Sequence, residues 1–159
     1  MMIQQDMFHE YPTVQHVEPP IAVELPKEAA LYVEKRNRRV AIVGSRSWVG
    51  MISIVDFVKS LPRNMIVVTG GAPGADSMAE SAAMSAGLTV VVCKANWQKW
   101  GRQAGPIRNI AIVEIADVIV AFWDGKSPGT QDTINKAKRA GKRVEICRPG
   151  QSIVWHEDW

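Results

Sequence analysis

Two cysteines, three histidines and no apolar run of membrane-spanning length mark what the 159 residues leave out. Cys93 and Cys147 stand far apart in apolar runs, with no CxxC pattern and no neighbouring histidine. That excludes a disulfide framework and reads as buried thiols in a reducing cytoplasm. His9, His16 and His156 all fall in the terminal segments, so neither a Ser–His–Asp set nor a zinc site is expected. No stretch approaches the ~20 apolar residues of a spanning helix. The opening "MMIQQDMFHEYPTVQHVEPP" has no basic segment leading into an apolar one, so secretion is not expected either. Neither GxxxxGK[ST] nor GxGxxG occurs, which removes the P-loop ATPases and the dinucleotide dehydrogenases.

What is present is ordinary in bulk and unusual in its loops. A 47% hydrophobic share with 22% charged residues fits a soluble globular domain. The net charge of +3 and pI near 9.0 suit a small polyanionic ligand as well as nucleic acid. Composition changes near residue 38. Residues 1–38 carry Pro12, Pro19, Pro20 and Pro26, and only "PKEAALYVEKRNR" looks helical, so this part reads as an N-terminal extension or arm. From Arg39 the pattern alternates. "RVAIVG", "NMIVVTG", "LTVVVC", "DVIVAFW" and "KRVEIC" read as strands, separated by helical stretches of which Pro106 opens one and Gly141 closes another. Strands of continuous Val and Ile are covered on both faces. The expected fold is therefore α/β, Rossmann-like and doubly wound, with a mainly parallel sheet over residues 39–148 and a C-terminal tail over 149–159.

Ligands of such sheets bind at the carboxyl ends of the strands. Three loops there are candidates. "GSRS" offers Gly44, Ser45 and the forked cation of Arg46. "TGGAPGAD" offers Gly70, Gly71, Gly74 and Asp76, followed by a helix whose free N–H groups would point at the loop. "WDGKSPGTQDT" offers Gly129 and Thr130, the latter at an N-cap or phosphate-binding position. A fourth segment, "ANWQKWGRQAGPIRN", adds Arg108 and Asn109 beside a helix start. Its Trp97 and Trp100 read as packing residues ahead of base-stacking ones.

In this order and spacing, "VGSR", "TGGAPGAD", "AGPIRN" and "SPGT" resemble the SLOG superfamily, specifically its YspA-like (cpYpsA-related) branch, over about Arg39 to Ile146. The resemblance implies a Rossmann-like fold that binds a nucleotide or nucleotide-derived ligand. More distant relatives are the LOG phosphoribohydrolases, which split the N-glycosidic bond of nucleoside 5'-monophosphates. Arg108, nine residues before Asp117, matches their catalytic arginine, and Gly70, Gly71 and Gly74 match their glycine motif. Their glutamate position holds Thr133, with Asp132 one residue and about 100° away around the helix. Glycosidic cleavage needs a carboxylate, so Asp76, Glu80 and Asp132 stand as catalytic candidates. An aspartate in a first helical turn also serves the helix dipole, and for Asp76 the sequence leaves both roles open.

The expectation is thus a cytoplasmic homo-oligomer, without metal, cofactor or membrane contact, that binds an AMP- or ADP-ribose-like small molecule as a sensor or binding protein. Hydrolysis of a nucleoside monophosphate is the alternative. Nucleic-acid binding through "EKRNRR" and "KAKRAGKR" is weaker, since those charges interleave with helix-surface positions.

Overall fold

In the computed structural model, which describes residues 38–159, five parallel strands lie in the order β3-β2-β1-β4-β5. They are β1 (Arg39–Gly44), β2 (Ile66–Thr69), β3 (Thr89–Val92), β4 (Val118–Phe122) and β5 (Arg143–Cys147). The helices are α1 (Met51–Ser60), α2 (Ala75–Ser85), the single turn α3 (Trp97–Trp100), α4 (Ala104–Ile115) and α5 (Pro128–Arg139). This is the Rossmann-like α/β fold that the Val/Ile runs predict. The expected arm and its helix, with His9 and His16, lie outside the described residues, apart from Arg38.

Side-chain alternation along the strands builds a core on each face. Val40, Ile42, Val67, Val118, Val120 and Phe122 point to one side, where α1 delivers Ile54, Phe57 and Val58. Helix α2 reaches the same face through Ala75, Ala79 and Ala83, spaced four apart and fully buried. Ala86, just past the end of that helix, is exposed. Ala41, Val43, Val68, Ile119 and Ala121 point to the other side, against Ile112 and Val113 of α4 and Ile134 and Ala137 of α5.

Strand order reverses between β2 and β4 around the central β1, so the switch point lies where Gly44 pairs with Phe122. The C-terminal residues are tied to the same body. Trp159 stacks on Phe57 with ring centroids 6.4 Å apart, and the Trp155 N–H donates to Ser60 Oγ at 2.8 Å. None of the helices in the described residues is long and apolar enough to cross a membrane.

Candidate functional site

At the carboxyl edge of β1 and β2, one buried carboxylate organises two loops. Asp76, 4% exposed in the first turn of α2, accepts the N–H of Gly44 at 3.0 Å on Oδ1. Its Oδ2 accepts the N–H of Gly70 at 2.8 Å, and the N–H of Ala72 bonds to the same group. Burial pushes the Asp76 carboxyl above its ordinary range, against the pull of the Arg108 charge and these three amides. Gly74 is the hinge of this arrangement. It holds φ at +86°, and a Cβ there would stand 2.5 Å from the Ser45 carbonyl oxygen. That carbonyl accepts the Ala75 N–H at 3.2 Å, and Ser77 N–H turns back to Ala72 at 3.1 Å. The first-turn donors that the sequence places towards a ligand are therefore largely spent inside the protein.

Positive charge gathers beside this frame. A cavity of about 260 Å³ opens between the β1, β2 and β3 loops, lined by Arg46, Gly70 to Pro73, Lys94, Ala95, Trp97 and Arg108. Arg46 and Lys94 are exposed, and Arg46 has no hydrogen-bond or ion-pair partner among the described residues. Arg108 is half-buried. Its Nη1 donates to the Gly70 carbonyl and its Nε to Asn109 Oδ1 at 3.1 Å. Asn109, itself buried, donates through Nδ2 to Asp132 at 2.9 Å and to the Gly129 carbonyl at 3.3 Å. Asn109 thus links the cavity's arginine to the head of α5.

The predicted residues accordingly divide. Arg46, Gly70, Gly71 and Arg108 line the cavity, and Gly44, Gly74 and Asp76 build its frame. Ser45 is fully buried and its Oγ accepts the Asp124 N–H at 3.1 Å. Gly129 and Thr130 head α5 without lining the cavity, and Thr130 Oγ1 donates to Ser127 Oγ at 3.2 Å. Glu80 sits one turn beyond Asp76, half-buried and outside the lining, while Asp132 pairs with Lys136. Asp124 folds its own loop. The Ser127 and Lys126 N–H groups donate to Oδ1 at 2.9 and 2.8 Å and hold its carboxyl well below the usual range. Among the described residues, no carboxylate lines the cavity.

Two large lining side chains, Lys94 and Trp97, were not among the expected site residues. Lys94 is a lone lysine after β3, with no pattern to mark it. Trp97, read as packing, is 54% exposed and faces the cavity. Helix α4 also begins at Ala104, two residues before the expected Pro106, after a 3₁₀ turn over Gly101–Gln103. Proline is tolerated anywhere in a first turn because those N–H groups lack helical partners.

A family model described as "YspA, cpYpsA-related SLOG family" matches residues 38–100, which span β1 through the cavity's Trp97. The Gene 61 protein of Mycobacterium phage D29 is 37% identical over 114 residues, covering 65% of this chain and 91% of that protein. The chain belongs to the YspA, cpYpsA-related SLOG family. Among solved structures, this SLOG chain is similar in fold to DNA processing protein A of Streptococcus pneumoniae, with a TM-score of 0.63 at 20% identity. That match takes in 76% of this chain and 53% of the other, so the SLOG chain spans about half of that neighbour. DNA processing protein A of Helicobacter pylori, solved for its single-stranded DNA binding mode, gives a TM-score of 0.60 at 17% identity, over 76% and 71% of the two chains.

Proposed function

We propose that the cavity binds a nucleotide or nucleotide-derived ligand of the AMP or ADP-ribose type by its phosphate, and that the protein acts as a sensor or binding protein. One observation carries this reading: Arg46, Lys94 and Arg108 converge on a single cavity where, among the described residues, no carboxylate contributes to the lining. Three cations without an internal counter-ion in the lining call for an anion, and guanidinium forks match phosphate geometry. Titration calorimetry with adenosine, AMP and ADP-ribose tests it. The phosphorylated compounds bind and adenosine binds far more weakly; equal affinity for adenosine rejects the phosphate site.

The same lining favours binding over cleavage. Asp76 is committed to backbone amides, Asp132 to Lys136 and Asn109, and Glu80 stays outside, so each candidate for stabilising the ribosyl cation is otherwise placed. Long incubation of AMP with concentrated protein should release no adenine by chromatography. Robust release would make the protein a glycosidase.

Single-stranded DNA is a second reading, supported by the exposed Trp97 beside Arg46 and Lys94 in an open cavity and by the Helicobacter pylori protein's single-stranded DNA binding mode. Such binding would strengthen with oligonucleotide length and fall steeply with salt. A site for one mononucleotide shows neither.

A further inference from the structure

We infer that the indole of Trp97 is a stacking platform for the base of the bound nucleotide, an inference that rests on the proposed nucleotide site and deepens it. Trp97 is the one aromatic among the exposed large hydrophobic residues of the described chain. The other tryptophans have occupation: Trp48 meets Phe122 edge-on at 5.5 Å, Trp155 meets Trp159 at 5.4 Å, and Arg148 lies over Trp123 at 4.5 Å. Lys99 covers Trp100 at 4.9 Å. Trp97 has no such ring or cation partner among the described residues.

Its position is held from two sides. Asn96 caps the turn of α3 by accepting the Lys99 N–H at 3.0 Å, which fixes the backbone that carries the indole. At the far edge of the ring, a Cβ on Gly105 would stand 3.5 Å from Trp97 Cη2, so the ring end lies against the start of α4. A large apolar ring held in place and left uncovered costs hydration free energy that a flat ligand would recover. It lines the same cavity as the three cations. An aromatic face beside clustered positive charge matches a molecule with a π-face at one end and phosphate at the other. Stacking accepts any base, so this platform reads the presence of a base and leaves its identity to other groups.

Titration of AMP, ADP-ribose and ribose 5-phosphate into the wild type, Trp97→Phe and Trp97→Leu, with thermal melts to confirm folding, tests the inference. The wild type should bind AMP roughly tenfold or more tightly than ribose 5-phosphate. Trp97→Leu should bring AMP down to the ribose 5-phosphate level and leave ribose 5-phosphate unchanged, while Trp97→Phe keeps most of the AMP preference. Unchanged AMP affinity in Trp97→Leu overturns the platform and leaves the phosphate site standing, as does a parallel loss of all three ligands. Failure of the wild type to bind any of the three overturns the site and the platform together.

Discussion

The N–H of Gly70 donates to Asp76 Oδ2 at 2.8 Å, across the loop that separates β2 from α2. The carbonyl of the same glycine accepts the Arg108 guanidinium. A single residue thereby joins the buried carboxylate to the cavity's arginine. The glycine has no Cβ because one would stand 2.7 Å from that carboxylate oxygen. Sequence adjacency of "TGG" and "GAD" becomes a strut whose loss would be felt in both folding and binding.

Replacing Asp76 by Asn isolates the strut. The carboxylate serves Gly44 N–H with one oxygen and Gly70 N–H with the other. An amide keeps one acceptor and turns an N–H₂ against the second donor. A buried donor left unpaired costs about 1–3 kcal/mol, so urea denaturation should show Asp76→Asn less stable by that amount. Equal stability would mean that the two amides find other acceptors.

The fold was legible because its signals are local and repeated. Short β-branched Val/Ile runs that end at glycine or a turn favour strands covered on both faces, and Ala75, Ala79 and Ala83 at four-residue spacing suit a helix lying close to a sheet. Four of the nine residues that line the candidate cavity were legible for the same reason, since Arg46, Gly70, Gly71 and Arg108 sit in or just after loops that glycine punctuates. Lys94 was not, because an isolated lysine after a strand looks like any solvated charge. Trp97 was not either, because an exposed indole and a buried one look alike in a sequence. The tryptophans of the last residues gave no period at all. Their role comes from a long-range contact with Phe57, which no local pattern encodes.

Gly74 and Gly129 separate structural glycines from replaceable ones. At Gly74, φ of +86° is open to glycine and strained for alanine, and the added Cβ would press on the Ser45 and Arg46 carbonyls. Gly74→Ala should lose more than about 2 kcal/mol of stability. Gly129 lies in the first turn of α5, and a Cβ there meets nothing within 4 Å. Gly129→Ala should hold or gain up to about 1 kcal/mol. Because Gly129 lies outside the cavity lining, ligand affinity should stay the same. Thermal melts paired with AMP titrations decide both, and lost affinity in Gly129→Ala would bring the α5 loop into the site.

Cys93 and Cys147 should be silent in the folded protein. Both are buried, and burial pushes the Cys93 thiol up to about 11 in spite of the nearby Arg108 charge. Thiolate is the reactive form, so at mildly alkaline pH neither residue should react with a disulfide reagent until denaturant is added. Rapid labelling of either thiol under native conditions would contradict their burial.

Arg108→Ala tests binding and folding at once. Loss of a charge-assisted contact to phosphate should weaken AMP or ADP-ribose by about 1.5–3 kcal/mol. Arg108 also has partners inside the protein. The structure gives it the Gly70 carbonyl, Asn109 and the field of Asp76, so stability should fall as well. The pH dependence follows from Asp76. A carboxyl whose folded pKa is raised above the unfolded value of 3.8 contributes its full stability below that value and loses it as pH rises through the folded pKa. Arg108 is the charge that restrains this rise, and its removal moves the folded pKa further up. The stability gap between wild type and Arg108→Ala should therefore be smallest near about pH 4 and widen as the pH is raised. Denaturant melts across that range, with ligand titrations at the upper end, measure both effects. A gap independent of pH would uncouple Arg108 from Asp76. Lost stability with intact affinity would leave Arg108 as a strut of the Gly70 loop and remove it from the binding site.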